Sequence, residues 1–364
     1  MKLYRIKDHV KGLEISEKEG NEILYEGKET LTQLKCKIDK CNQKHWEEAK
    51  KKVNAYEYIY TSSKMTNNIC KVSPISRSYF KLHEMIQNDT LFEESNYYAC
   101  IAEGPGGFIH CMNQLSKYRK ISIHKIFGIT LISKDRTIPY WNQNILTNPM
   151  NHIINGKDDT GNLYNYENAE FFINEINSNL CHLVTADGGF DYSEDYNSQE
   201  NASYKLIYSE IYCALNIQKS NGTFIIKMFD LFTYKTIQLL YLLYNCYSSI
   251  KIYKPLTSRL SNSEKYVICS GFTGCSTATK NILKEYYNKC EKLHIEVPKT
   301  FIEEINHYNR SFVETQMGSI QEILKMIEEK KMIDKSPTKQ QVQNAIAWCN
   351  TYNLPINEKC IHLK

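Results

Sequence analysis

No hydrophobic run in this sequence is long enough to cross a bilayer. The longest mostly apolar stretch, 237–244, falls far short of the roughly 20 residues that a spanning helix needs. An apolar leader is also missing, because the opening MKLYRIKDHVKGLEISEKEG is charged throughout. No repeat or low-complexity linker breaks the chain. Cys36 and Cys41 form the closest cysteine pair, but no second pair with His lies at zinc-site spacing, which argues against a metal centre. The 13 cysteines are odd in number and scattered through apolar segments, as at Cys100, Cys181, Cys213 and Cys269. Reduced, mostly buried thiols fit that pattern better than a secreted disulfide scaffold. A strong charge of either sign is absent too, since the formal net charge is only +4. That balance permits a polyanionic partner without demanding one, because nucleic-acid binding depends on where charge is placed. Together these absences lead us to expect a soluble, intracellular chain without a metal.

What is present is enough to build a core. Hydrophobic residues make up 42% and aromatics 12% of the 364 residues, which excludes wholesale disorder. Residues 1–72 read as a mostly helical extension rich in Lys and Glu, with helical patches at 22–36 and 45–60. From 73 to 275 short β-branched runs alternate with amphipathic stretches, the signature of an α/β sheet. Strands are expected at 98–103, 124–132, 181–187, 223–229, 249–254 and 265–272, with helices at 107–118, 166–179, 203–219 and 232–247. The last two strands are joined too closely for a helical crossover, so they should run antiparallel. A mostly parallel, Rossmann-like sheet with an antiparallel last strand is the arrangement expected of a methyltransferase that uses S-adenosylmethionine. Residues 276–364 read as a helical extension packed on that core, with helices at 279–294 and 301–331.

Glu103-Gly104-Pro105-Gly106-Gly107-Phe108 follows the first of these strands and opens a helix. Glycines there let backbone approach a ligand closely, and a helix start offers free N–H groups. Gly104, Gly106 and Gly107 are too close together for the G-x-G-x-x-G dinucleotide fingerprint. A strand-end acid with a compact glycine turn instead suits the amino-acid portion of adenosylmethionine. Asp135, beyond the second strand, is a candidate to bind ribose hydroxyls, and Asp158 is a candidate for the adenine amino group. Ordinary turn chemistry also accounts for acids in both places.

Lys227 interrupts the apolar run Phe224-Ile225-Ile226-Lys227-Met228-Phe229, where a lysine needs a partner. Asp187 ends a strand before Gly188-Gly189, at the same sheet edge as the glycine turn. Lys81 and Glu264, taken alone, pass for surface charges. As a set, two lysines and two acids form a charge-balanced cluster that suits metal-free methyl transfer to a ribose hydroxyl. That reaction needs the oxygen in line with the methyl carbon and a place for the proton. Lys227 is assigned to orient or deprotonate the 2′-hydroxyl, with its resting charge left open. Arg77, Lys254 and Arg259 are candidates for RNA contact by position.

These segments resemble a known family. Ser-Arg-Ser-Tyr-Phe-Lys-Leu at 76–82, Glu-Gly-Pro-Gly-Gly-Phe at 103–108, Asp-Gly-Gly-Phe-Asp at 187–191, Gly-Thr-Phe-Ile-Ile-Lys at 222–227 and Ser-Glu-Lys-Tyr-Val at 263–267 resemble the FtsJ-like ribose 2′-O-methyltransferases, in that family's order. The resemblance covers roughly residues 75–272 and implies that the family's Lys-Asp-Lys-Glu tetrad falls on Lys81, Asp187, Lys227 and Glu264. Gly-Ile-Thr-Leu-Ile-Ser-Lys-Asp at 128–135 is most similar to the Adrift-type mRNA cap methyltransferases of eukaryotes and large DNA viruses. That branch implies adenosylmethionine as cofactor, capped mRNA as substrate, and a protein partner from the capping machinery that the sequence does not identify. Where the branch has Asp-Gly-Thr-Gly-Asp, this chain has Asp158-Asp159-Thr160-Gly161-Asn162, so the acid that meets adenine is in doubt.

Overall fold

A computed structural model describes residues 3–14, 22–89, 91–92, 96–190, 196–289, 293–329 and 334–363. Asp191 of the 187–191 motif lies outside the described residues, as do 290–292 and 330–331 of the two expected C-terminal helices.

The chain begins with a short strand, β1 (Leu3–Arg5), and two helices, α1 (Lys28–Ile38) and α2 (Gln43–Val53). Next come α3 (Ser78–Asp89), β2 (Tyr97–Ile101), α4 (Gly107–Arg119), β3 (Lys125–Ile129), the one-turn α5 (Gln143–Leu146) and β4 (Asn151–Ile153). The alternation continues through α6 (Tyr166–Ile176), β5 (Cys181–Ala186), α7 (Gln199–Ile217), β6 (Gln218–Met228) and α8 (Tyr234–Cys246). Strands β7 (Tyr247–Tyr253) and β8 (Lys265–Phe272) then precede α9 (Thr277–Glu285), α10 (Lys299–Glu328) and α11 (Lys339–Thr351).

One eight-stranded sheet results, in the order β1-β7-β8-β6-β5-β2-β3-β4. Strands β4, β3, β2, β5 and β6 are mutually parallel. Their near-continuous apolar runs suit a sheet covered on both faces. Strand β8 slots between β6 and β7 and is antiparallel to both, as the short connection requires. The expected mixed α/β sheet is therefore what the chain forms. Two strands are absent from the expected set, the three-residue β4 at one end of the sheet and β1 at the other. Leu3–Arg5 pairs antiparallel with Lys251–Tyr253 as an outer eighth strand, too short to carry a readable alternation.

Helices cover the two faces with separate cores. Phe172 of α6, Tyr208 of α7, Leu240 of α8, Leu283 of α9 and Phe301 of α10 pack on one face. Phe80 and Met85 of α3, Met112 of α4 and Trp348 of α11 pack on the other. A third cluster lays Leu31, Trp46 and Ala49 of α1 and α2 against Val313, Ile320 and Leu324 in the second half of α10. The five parallel strands end at Ile101, Ile129, Ile153, Ala186 and Met228, and the carboxyl edge they form is where open α/β sheets bind ligands.

Expected ends shift by a few residues for local reasons. Strand β2 stops at Ile101 because Ala102 turns into positive φ. Helix α6 stops at Ile176 because Asn177 does the same.

Candidate active site at the carboxyl edge of the sheet

The turn after β2 is built so that backbone, not side chain, faces the crevice. Gly106 sits at φ 108, in the left-handed region that favours glycine. A Cβ on Gly104 would come within 2.4 Å of the Pro139 carbonyl oxygen. The Gly104 N–H donates to Thr130 Oγ1 at 3.0 Å, tying the turn to the segment after β3. A Cβ on Gly107 would lie 2.1 Å from both Ser76 Oγ and Ser78 Oγ, so the turn abuts the start of α3, the helix that carries Lys81. The Pro105 carbonyl accepts the Asn142 N–H, and Phe108 is fully buried with its ring 6.1 Å from that of Tyr266. Glu103 differs from its expected role as a cofactor contact. Its two oxygens accept the N–H groups of Phe108 at 2.6 Å and Ile109 at 3.3 Å, so it caps the start of α4. Burial pushes its carboxyl well above the usual range.

The second and third candidate cofactor segments lie side by side. The Ile132 N–H donates to the Thr160 carbonyl at 2.7 Å, and a Cβ on Gly161 would meet the Thr130 carbonyl oxygen. Asp158 fastens its own loop. It accepts from Thr160 N and Oγ1, Asn165 Nδ2 and Asn168 Nδ2, and those bonds hold its carboxyl below its ordinary value. Asp135 is exposed, and its Oδ1 accepts from Thr137 N and Oγ1. Both acids are thus engaged in turns at the edge of the crevice.

The four reactive candidates come together as two ion pairs. Lys227 Nζ lies 3.2 Å from Asp187 Oδ1 and donates to the Asp187 carbonyl at 2.7 Å. Lys81 Nζ lies 2.8 Å from Glu264 Oε2. Tyr266 joins the pairs. It faces Lys227 across the β6–β8 ladder, its hydroxyl donates to Asp187 Oδ1 at 2.7 Å, and Lys81 Nζ sits 6.0 Å over its ring. Ser258 Oγ donates to the other oxygen of Glu264 at 2.8 Å. All four side chains are 11–15% exposed, buried enough to be ordered and open enough to be reached.

Electrostatics answer the question the sequence left open. Burial by itself would lower the Lys227 ammonium, but Asp187, Glu264 and Glu210 outweigh it and raise the group above its ordinary value. Lys227 therefore rests as a cation. Burial would raise the Glu264 carboxyl, yet Lys81, Lys227 and Lys254 together hold it below the usual carboxylate range.

The three residues expected to meet RNA are engaged inside the protein. Arg77 donates to Glu57, to the Tyr60 carbonyl and to the Thr257 carbonyl. Arg259 grips the same Glu57 through two nitrogens, at 3.1 and 2.9 Å. Glu57 is fully buried, so the two arginines form its compensating charge. Lys254 is buried as well and donates to the carbonyls of Asn262 and Glu264 and to the Asn262 side chain. Its ammonium is not presented to a phosphate, a correction to its reading from position alone.

Several residues of this site escaped the sequence reading. Thr130, Ser258 and Glu57 act through bonds between distant segments, which no local pattern announces. Tyr266 was hidden among 27 tyrosines. Glu210 did leave a signal, as a lone acid within Ile207-Tyr208-Ser209-Glu210-Ile211-Tyr212-Cys213-Ala214-Leu215. It is fully buried, and its Oε1 accepts the Gly188 N–H at 3.1 Å.

The chain is 31% identical over 275 residues to cap-specific mRNA (nucleoside-2′-O-)-methyltransferase 1 of Mus musculus, covering 67% of this chain and 31% of the relative. Against its Homo sapiens counterpart the identity is 34% over 192 residues, covering 48% and 21%. Against inactive cap-specific mRNA (nucleoside-2′-O-)-methyltransferase 1B of Caenorhabditis briggsae it is 28% over 293 residues, covering 72% and 34%. The chain thus spans about a third or less of the length of these curated relatives. Residues 74–272 match the family described as FtsJ-like methyltransferase, and the segment contains the glycine turn and all four ion-pair residues. The chain belongs to the FtsJ-like methyltransferase family.

Proposed function

We propose that this chain is an S-adenosylmethionine-dependent RNA ribose 2′-O-methyltransferase that acts on the first transcribed nucleotides of capped mRNA. The observation that carries the reading is the paired Lys227–Asp187 and Lys81–Glu264 cluster at the carboxyl edge of the sheet, beside a glycine turn. The residues fit the cofactor, because glycines let the turn pack tightly between α3 and the segment after β3 at the start of α4, and the neighbouring loops carry Asp135 and Asp158. When bound, adenosylmethionine supplies a methyl group already activated on a cationic sulfur, so no metal is needed. Gly104 to Gly107 would hold its amino-acid part, Asp135 the ribose hydroxyls and Asp158 the adenine amine.

The chain's own residues then do three things. Lys227, as an ammonium fixed by Asp187, donates to the substrate 2′-oxygen and turns a lone pair toward the methyl carbon. Asp187, fixed in turn by the Tyr266 hydroxyl, balances the charge of Lys227. Lys81 and Glu264 form the outer wall and set the approach of the ribose. Formation of the oxygen–methyl bond releases the hydroxyl proton, one for each methyl transferred. Lys227 already carries its full set of protons, so that proton passes to solvent as the methyl–sulfur bond breaks and the sulfur gives up its charge.

The cap-specific mRNA activity for which the relatives are named supports the capped substrate over ribosomal or transfer RNA. Offering a capped and an uncapped oligonucleotide of one sequence with labelled adenosylmethionine tests the assignment. Transfer to the capped RNA alone, with the label mapped to a 2′-oxygen by mass spectrometry, is the expected result. Equal transfer to both would remove the cap from the reading.

A further inference from the structure

Glu210 is an ionisable residue that the reaction as described does not use, yet it reaches into the same site. Helix α7 carries it through the apolar core to the underside of the Asp187-Gly188-Gly189 turn. The contact there is close. A Cβ on Gly188 would stand 2.3 Å from Glu210 Oε1, so only glycine lets the turn settle onto the carboxyl. On the other side of that turn, a Cβ on Gly189 would stand 3.0 Å from Lys227 Nζ. The turn is therefore held between the Glu210 carboxyl and the Lys227 ammonium. The second oxygen, Oε2, is buried without a hydrogen-bond partner among the described residues. Leaving a buried polar atom without a partner is destabilising, and a purely structural position would not be expected to retain it.

We propose that Glu210 is a positioning residue of this site, fixing the Asp187-Gly188-Gly189 turn and, through it, the place of the Lys227 ammonium. The proposal rests on the methyltransferase reading above. The groups that act on Glu210 are Lys227 from β6 and Asp187 at the end of β5, and Glu210 in turn acts on Cys213 of its own helix. Burial pushes the Glu210 carboxyl up to about 8, against the pull of Lys227 and the Gly188 N–H. It therefore changes charge within the working range of an enzyme. As pH rises through that value Glu210 becomes an anion and favours a cation in the crevice, so the cationic cofactor gains affinity relative to its neutral, demethylated product.

The test uses the full chain and two variants. Glu210→Ala removes the acceptor of the Gly188 N–H, while Glu210→Gln keeps an acceptor but cannot ionise. Methyl transfer to capped RNA should fall roughly tenfold or more in kcat for E210A, with KM for RNA little changed, and be largely restored in E210Q. A binding measurement that needs no turnover accompanies it. The affinity ratio of adenosylmethionine to adenosylhomocysteine, by calorimetry from pH 6.5 to 9, should rise about threefold or more in the native chain and stay flat in E210Q. A flat ratio in the native chain, or an E210A variant with native kcat, would overturn the proposal. Normal ligand binding with no transfer to any RNA by the native chain would instead count against the methyltransferase reading, leaving the titration to judge Glu210.

Discussion

Lys227 joins apolar sequence and reactive chemistry in one residue. It belongs to a strand whose neighbours Ile226 and Met228 are fully buried, and the acids Asp187, Glu264 and Glu210 around it keep an ammonium stable there. Replacing it with alanine should lower the transfer rate by at least about a hundredfold while leaving adenosylhomocysteine binding within a few fold. Single-turnover assays and calorimetry read the two effects separately, and near-native transfer by K227A would remove the mechanism. Two helical turns of α3 also carry a pH effect on stability. His83 is buried, stacks on Tyr79 and meets the Tyr352 carbonyl at 2.9 Å, and burial depresses its imidazole from 6.5 to about 4. The unfolded chain therefore takes up this proton first, so native stability should decline as pH falls from 6.5 toward 4. Denaturant unfolding of native and His83→Gln proteins should differ in that slope by up to about 3 kcal/mol across the window. Parallel curves would show that the imidazole is not the cause. Residues like these were legible in the sequence only where local context was unusual. Lys227 stood out among isoleucines and phenylalanine, whereas Lys81 and Glu264 gained meaning only from the strand order.

At the scale of elements, the site depends on segments that the sequence reading set apart. Glu57, from the stretch after α2, binds Arg77 four residues before Lys81 and Arg259 five residues before Glu264. It clamps the two pieces of chain that form the Lys81–Glu264 half of the cluster. Glu84 of α3 does the same from within, accepting Tyr253 Oη, the Leu256 N–H and Trp348 Nε1 of α11. Glu57→Ala leaves two arginines without their buried anion and should cost about 3 kcal/mol in urea unfolding, together with a loss of transfer activity. An unchanged midpoint would show that the arginines find other partners. Strands β2, β3, β5 and β6 and helices α4, α6, α7 and α8 were readable because buried runs and helical periodicity repeat over enough residues. Strands β1 and β4 and helix α5 were not, since three or four residues hold no period. Helix α11 was missed despite its capping box at Thr338 and Gln341, because its apolar face is narrow and follows a polar run.

For the whole molecule, the C-terminal helices close the core. Phe301 and Ile305 of α10 are fully buried on one sheet face, Ile320 seals α1 and α2, and Trp348 of α11 lies under α3. Losing one large buried side chain costs about 3–5 kcal/mol, comparable with much of a domain's net stability. A chain ending at residue 275 should therefore show no cooperative thermal transition and bind hydrophobic dyes, whereas the full chain melts sharply. A sharp melt by the shortened chain would mean that the sheet and its remaining helices stand alone. The same scale gives meaning to the two ends of the sheet. Both outermost strands, β1 and β4, are three residues long, so each offers only a few unpaired backbone groups to solvent. Long, flat edges invite strands from other molecules, and short ones leave little for them to pair with. In a chain this rich in isoleucine, tyrosine and asparagine, that brevity is a safeguard against aggregation, set at the two places where the sheet would otherwise keep growing.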